Sequence, residues 1–514
     1  MTPIDPAGTV AVVGAGTMGQ GIAQVALAAG HAVRLYDAAP GRAEEAARAI
    51  AARLGRLVDK GRLDPAGRDA ALARLLPAAR LAELADSALV IEAIVEQLDA
   101  KQKLFTELEQ VVPDDCLLAT NTSSLSVTAV AGALRLPGRF VGLHFFNPAP
   151  LLPLVEVVRG FATDPEAADR ARATVAAWGK TPVACADTPG FIVNRLARPF
   201  YAEAFRVHEE GGADPATIDA VLRECGGFRM GPFELTDLIG QDVNNAVTRS
   251  VYEAFFHDPR FTPSLAQQRL VEAGLLGRKT GRGWFSYAEG AERPGPATAA
   301  PCEPPAEIGW HAEAPRVCAP LREMIEEAGV KVVRDRAPHE PGRHAPHEPD
   351  WHMTLPDGAE LTLTGGEAAT PGNGGPRIYF DLALDYRTCA RIALAPSEKA
   401  SARDVQAAVG LFQALGKTVS VIADVPGLIV ARTVAMLVDF AEDAAGRGVA
   451  SREDIDTAMR LGVNYPRGPL EWGREIGLDR VRGMLRGLAR DYPGGRYDPS
   501  LSLRRRAAVE ESLL

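Results

Sequence analysis

The sequence predicts an α/β domain at its start, then two related all-helical domains separated by a degenerate α/β segment. Three observations predict this. Short β-branched apolar runs alternate with helical stretches through the first part of the chain. A glycine-rich turn joins the first such run to the first helix. A set of motifs recurs later at a constant spacing of 237 residues.

At 514 residues the chain is too long for a single core. Apolar residues at 46% and charged residues at 24% are ordinary globular values, which argues against a disordered or fibrous protein. A net charge of −10 argues against a general nucleic-acid binder, while leaving room for a local basic patch that meets an anionic substrate. The six cysteines (116, 185, 225, 302, 318, 389) form no Cys-x-x-Cys pair and read as reduced thiols. No basic leader with an apolar core opens the chain, and no apolar run reaches the roughly 18 residues of a membrane span. Ser512-Leu-Leu514 is not a peroxisomal Ser-Lys-Leu signal. A cytoplasmic location and no membrane contact are expected.

Thr9-Val-Ala-Val-Val13 reads as a strand, followed at once by Gly14-Ala-Gly16-Thr-Met-Gly19. Met18, Ile22, Val25 and Ala29 recur at helical spacing and stop at Gly30. His31 to Tyr36 reads as the second strand. In this strand-turn-helix order Gly14 permits the tight turn, Gly16 lets backbone approach a pyrophosphate, and Gly19 lets helix and strand pack closely. The fold is therefore of the Rossmann type. Asp37, 23 residues after Gly14, can accept hydrogen bonds from ribose hydroxyls, and its charge repels a 2′-phosphate, which favours NAD over NADP. Arg34 and Arg42 read as solvated surface.

Ala88 to Val95 and Cys116 to Thr120 suit buried parallel strands. Their ends place Glu96, Asn121, Thr122 and Ser123 where such folds gather ligands, although Asn-Thr-Ser-Ser equally suits a helix cap. Arg139 to Pro148 and Leu154 to Val158 are two further extended apolar runs, carrying His144 and Glu156. A carboxylate inside such a run needs a partner, and an imidazole N–H supplies one, which makes His144 a candidate base near neutral pH. The same pair also fits a purely structural hydrogen bond at a strand edge.

Trp178-Gly-Lys-Thr, Asp187-Thr-Pro-Gly-Phe-Ile-Val-Asn-Arg195 and Arg229-Met-Gly-Pro-Phe-Glu234 return as Leu415-Gly-Lys-Thr, Asp424-Val-Pro-Gly-Leu-Ile-Val-Ala-Arg432 and Pro466-Arg-Gly-Pro-Leu-Glu471. The gap-free offset marks a duplication, and each copy should form a small helical domain. Asn194 corresponds to Ala431. The expected boundaries are 1–186 for the NAD-binding domain, 187–290 for the first helical domain, 291–314 for a Pro- and Ala-rich linker, 315–422 for the degenerate α/β domain and 423–514 for the second helical domain. Within 315–412 we expect a helix over Pro315 to Ala328 and strands at Lys331–Val333, Arg377–Leu382 and Arg391–Leu394. Pro338-His-Glu-Pro and Pro346-His-Glu-Pro read as solvated loops, so no metal is expected.

Gly14 to Gly19, Ala93-Ile-Val-Glu96, Asn121 to Ser124, His144-Phe-Phe-Asn-Pro148, Asp187 to Arg195 and Gly277-Arg-Lys-Thr-Gly-Arg-Gly-Trp-Phe285 occur in one order that closely resembles the 3-hydroxyacyl-CoA dehydrogenase family. The resemblance covers 8–290 well, 415–480 through the duplication, and the middle region poorly. It implies NAD-dependent oxidation of an L-3-hydroxyacyl-CoA to the 3-oxoacyl-CoA. His144 would take the 3-hydroxyl proton, Glu156 would orient it, and Ser123 and Asn194 would hydrogen-bond the substrate oxygen. Met18, Asp37, Glu96, Lys101 and Asn147 would serve the NAD site. Arg53, Arg56 and Lys60 share one face of a helix and would meet CoA phosphates, or else form a solvated basic face. Short members pair two chains through the helical domain; here the second copy can supply that partner within one chain, and a homodimer stays open. The two-copy form resembles bacterial 3-hydroxybutyryl-CoA and 3-hydroxyadipyl-CoA dehydrogenases, the latter acting in phenylacetate catabolism. The alternatives are a sugar-acid dehydrogenase resembling L-gulonate dehydrogenase and lambda-crystallin, and a non-catalytic NAD-binding structural protein.

Overall fold

The computed structural model of the protein describes residues 2–334, 351–370 and 374–511. The two Pro-His-Glu-Pro segments and Ser512–Leu514 lie outside the described residues. The chain divides into two compact units, Met1–Arg195 with Arg447–Val463, and Leu196–Gly446 with Asn464–Leu514.

The first unit is built on β1 (Thr9–Val13), β2 (Val33–Tyr36), β3 (Leu75–Ala78), β4 (Ser87–Glu92), β5 (Leu117–Thr120), β6 (Phe140–Phe145), β7 (Leu154–Arg159) and β8 (Thr181–Ala186), in the order β3-β2-β1-β4-β5-β6-β7-β8. All neighbours are parallel except β6 and β7. The apolar runs become strands because both faces of the sheet are covered, and Val10, Val12, Leu89, Ile91, Leu117 and Val155 are all buried in one core. Strand order reverses between β1 and β4, which opens a crevice beyond their carboxyl ends where dinucleotides bind in such sheets. The antiparallel β6–β7 pair sets His144 directly opposite Glu156. A one-residue slip of either strand would turn one of these side chains to the opposite face and separate the pair.

The second unit holds a mixed sheet of β9 (Glu307–His311), β10 (Lys331–Arg334), β11 (His352–Thr354), β12 (Glu360–Leu363), β13 (Arg377–Phe380), β14 (Arg391–Pro396) and β15 (Thr418–Val421). Its order is β10-β9-β11-β12-β13-β14-β15. Residues 291–314 are thus not all linker. Glu307–His311 pairs with β10 on one side and β11 on the other, burying Ile308 and Trp310. The Pro- and Ala-rich composition ends at Pro305, just short of it. The helix expected over 315–328 is Pro320–Glu327, preceded by a 3-10 turn.

The duplication reaches further upstream than its sequence motifs. β14, the helix Ala402–Ala414 and the start of β15 repeat β7, the helix Pro165–Ala177 and β8 at the same offset, and β13 pairs with β14 in the register of β6 with β7. One helix is interrupted in the first copy only. Val430–Gly446 is continuous, whereas its counterpart is broken into Val193–Leu196 and Arg198–Glu209. Pro199, which stands where the second copy has Met436, has no N–H and crowds the carbonyl four residues earlier.

Within the second unit the two copies pair through these helices. Glu203 and Glu210 of the first accept hydrogen bonds from Arg432 of the second, at 2.8 Å from Nε to Glu203 and 2.7 Å from Nη1 to Glu210. Among the described residues no helix is long and apolar enough to cross a membrane, and no group of three or more His, Cys, Asp or Glu side chains is placed to hold a metal.

Candidate active site

The glycine turn has the shape a dinucleotide requires. Gly14 sits at φ 107°, and a Cβ there would stand 2.4 Å from the carbonyl oxygen of Ala93. A Cβ on Gly19 would stand 1.8 Å from the carbonyl oxygen of Gly14, so helix and strand meet only because it is glycine. Gly16 faces open space, with nothing within 4 Å of where its Cβ would be. The helix Thr17–Ala28 has no side-chain cap and no acid in its first turn, so its amino-terminal amides and positive dipole end are available to a phosphate. These residues fit NAD. Asp37 ends beside β2, where its oxygens accept from the amides of Ala15 (2.8 Å) and Ala39 (2.9 Å). Each oxygen keeps a lone pair for a ribose hydroxyl.

A cavity of about 350 Å³ opens next to this turn, lined by Met18, Ala93, Ile94, Glu96, Lys101, Asn121, Ser123, His144, Phe145, Phe146, Asn147 and Asn194. It brings together residues from β4, β5, β6 and the turn after β8. His144 Nδ1 lies 2.6 Å from Glu156 Oε2, with Glu156 wholly buried and His144 6% exposed. The other carboxylate oxygen, Oε1, accepts from the amides of Ile192 (3.0 Å) and Val193 (2.9 Å). With its acceptor sites so occupied, Glu156 holds Nδ1 as a donor and leaves Nε2 as the ring nitrogen able to take a proton. Asn194 reaches the backbone oxygen of Ser123 at 3.4 Å, so the two substrate-oxygen candidates are neighbours.

Glu96 organises the Ser123 loop. It accepts from Thr122 Oγ1 (2.5 Å), the amides of Ser123 (3.0 Å) and Ser124 (3.1 Å), and Ser124 Oγ (2.9 Å). Burial works to raise its pKa, but these donors and the Lys101 charge together hold it below the usual carboxylate range. The Lys101 ammonium, 1% exposed, is engaged by Glu92 at 2.6 Å and Glu96 at 3.2 Å. Glu92 is fully buried and also accepts from Thr120 Oγ1 at 2.7 Å. Sequence reading missed Glu92 as a site residue, although the signal was present: a carboxylate within the apolar run Ala88 to Val95. It also missed Asp187, whose carboxylate accepts from Ser126 Oγ and the Thr128 amide, both at 2.7 Å, and so ties down the segment after Ser123.

Asn147 joins this cavity to a second one of about 360 Å³ lined by Thr17, Gly21, Gln24, Arg53, Arg56, Leu57, Lys60 and Asn147 to Leu151. Arg53 donates to Gln20 (2.9 Å) and Gln24 (3.2 Å), while its Nη2 is buried with no hydrogen-bond partner among the described residues. Burial and then the like charge of Arg56 lower the Arg53 guanidinium below its ordinary value. An anion bound there would relieve both.

Fold and site together define an NAD-linked dehydrogenase. The NAD binding domain of 3-hydroxyacyl-CoA dehydrogenase matches residues 9–188, the C-terminal domain of that family matches twice, at 190–287 and 427–511, and the reduced Rossmann-fold domain of 3-hydroxybutyryl-CoA dehydrogenase matches 361–426. The chain is 44% identical to 3-hydroxyadipyl-CoA dehydrogenase of Escherichia coli K12 over 98% of both proteins. It is 41% identical to a probable 3-hydroxybutyryl-CoA dehydrogenase of Deinococcus radiodurans, over 54% of this chain and 99% of that one. The crystal structure of 3-hydroxybutyryl-CoA dehydrogenase from Escherichia coli K12 substr. MG1655 superposes with a TM-score of 0.87 at 41% identity, covering 99% of this chain and all of that one. The chain belongs to the 3-hydroxyacyl-CoA dehydrogenase family, in its long form with a duplicated C-terminal region.

Proposed function

We propose that His144 is the general base of an L-3-hydroxyacyl-CoA oxidation, with Glu156 as its orienting carboxylate. The observation that carries this reading is the buried 2.6 Å bond from His144 Nδ1 to Glu156, in a ring that lines the same cavity as Ser123, Asn194 and the glycine-turn helix. NAD, when bound, supplies the hydride acceptor. His144 Nε2 takes the proton from the 3-hydroxyl, and Glu156 stabilises the imidazolium that results. Ser123 and Asn194 hold the substrate oxygen, which fixes C3 in place. Met18, Glu96, Lys101 and Asn147 line the cofactor side of the cavity, and Asp37 takes the ribose. Arg53 and Lys60 receive CoA phosphates, a role supported by the unpartnered Nη2 of Arg53.

The full-length relatives bear the names of two substrates, 3-hydroxyadipyl-CoA and 3-hydroxybutyryl-CoA, and these are the two we assign as candidates. A cytoplasmic setting suits six free thiols, and pairing of the two helical copies within one chain stands in for the pairing of two chains. Initial rates of NADH formation on both substrates, with the wild type and His144→Gln, form the test. Turnover of the preferred substrate should fall by about 10²–10⁴ in the variant while NAD affinity is kept. Near-normal turnover in His144→Gln would remove His144 as the base.

A further inference from the structure

We infer that the helix Arg452–Val463, contributed by the second repeat, is a positioning element for the His144–Glu156 pair and acts through Gly462. The inference rests on the base assignment above. By sequence this helix belongs to the second helical domain, yet the segment Arg447–Val463 forms part of the first compact unit. It is attached there by backbone and side chain alike. The Ala186 amide donates to the Val449 carbonyl at 2.7 Å, Cys185 and Ala450 form a β-bridge, and the helix packs on β7 and β8. Ile455, Ala458 and Met459 are fully buried.

Gly462 lies in the last turn of this helix, where glycine is a poor choice unless something approaches closely. Something does. A Cβ there would stand 2.8 Å from Leu154 Cδ2 and 2.9 Å from Val193 Cγ2. Leu154 precedes Glu156 by two residues on β7, and so shares its face. Val193 gives its amide to Glu156 Oε1 at 2.9 Å and is the neighbour of Asn194. Gly462 therefore touches both elements that fix the carboxylate orienting the base. The corresponding residue of the first repeat is Cys225, so the repeat's own fold does not demand glycine at this position. The duplicated half of the chain thus reaches the active site without placing a side chain in it.

Gly462→Ala in the full-length chain tests this. A Cβ at 462 must displace Val193 or Leu154, and we expect kcat to fall about tenfold, since small misplacements of reacting groups carry large rate penalties. The Kd for NAD, read by protein fluorescence, should not change. In Gly462→Ala/Val193→Ala the contact with Val193 is relieved while the one with Leu154 Cδ2 remains, and kcat should return in part. Gly473→Ala, whose Cβ would meet Val438 at 2.7 Å in the second unit, serves as the comparison for overpacking alone and should lower the melting temperature without lowering kcat. Should Gly462→Ala fail to fold, Val193→Ala removes the same contact from the other side and is expected to lower kcat several-fold at unchanged NAD affinity. An unchanged kcat in the folded variant, or a loss that the second substitution does not reduce, overturns the inference. If His144→Gln is inactive while Gly462→Ala is normal, only the positioning role falls; if His144→Gln is active, the base assignment falls with it.

Discussion

At Glu156 one carboxylate serves two partners, His144 through Oε2 and the amides of Ile192 and Val193 through Oε1. The second repeat shows these jobs separated. Asp381 stands where His144 would be and Ala393 where Glu156 would be, and the Asp381 carboxylate accepts from the amides of Ile429 (3.0 Å), Val430 (2.8 Å) and Ala431 (2.9 Å). The Pro-Gly turn has kept a carboxylate, now from the neighbouring strand, while the histidine is gone. Glu156→Ala is therefore expected to lower both turnover and stability, because two buried amides lose their acceptor at about 1–3 kcal/mol for each orphaned group. His144→Gln leaves those amides satisfied and should cost less stability. Urea unfolding of the two variants side by side checks this, and equal losses would refute the capping role.

Among the elements, the paired helices Arg198–Glu209 and Val430–Gly446 are joined by a buried charge cluster. Glu203, fully buried, meets Arg432 at 2.8 Å, Arg496 at 2.5 Å and the Tyr497 hydroxyl at 2.7 Å. Burial alone would raise its pKa, but Arg496 and Arg432 pull it down to about 2. A depressed carboxylate contributes stability above its unfolded value, near 4.3, and loses it as pH falls toward 2. Thermal melts between pH 2 and 7 should show that loss in the wild type and a smaller one in Glu203→Gln. The same variant should be about 3–5 kcal/mol less stable at pH 7, since the buried Arg496 is left with the Pro259 and Arg260 carbonyls in place of a carboxylate and Arg432 with Glu210 in place of two. Asp219 behaves with the opposite sign. Burial raises it to about 7 although it accepts from the amides of Phe233 and Glu234, so its contribution is lost as pH rises from about 4 through 7. Asp219→Asn should remove that slope.

Over the whole molecule, the two repeats are not separable modules strung after a nucleotide domain. A chain ending at residue 290 would leave β8 without Ala450 and the helix Arg452–Val463, and would leave Glu203 without Arg432 and Arg496. Both lost contacts are buried, so the truncated chain is expected to self-associate or aggregate rather than remain a folded monomer. Size-exclusion chromatography with light scattering reads the outcome. A stable monomer with native-like melting would show that the second repeat is dispensable to the first.

The nucleotide turn and the repeat were readable in the sequence because their signals are local. Glycine is the residue that tolerates the φ at position 14 and the contact at position 19, and a carboxylate inside an apolar run calls for a buried partner, which His144 is. Helical periodicity likewise marks Thr17–Ala28, and a spacing of 237 marks the duplication. What escaped were pairings across long stretches of chain. Glu307–His311 is a strand only because partners 24 and 41 residues on lie beside it, and Glu92 stands in an apolar run only because Lys101 and Thr120 neutralise and satisfy it. The repeat's start near Phe140 is hidden in sequence because His144 and Glu156 have become Asp381 and Ala393, and only the strand register preserves it. The sequence by itself determined a dinucleotide turn, a His–Glu pair and a doubled helical half. Tertiary structure decided that Arg452–Val463 of the second half packs behind the strand carrying Glu156, since a contact between residues some 300 positions apart leaves no pattern along the chain.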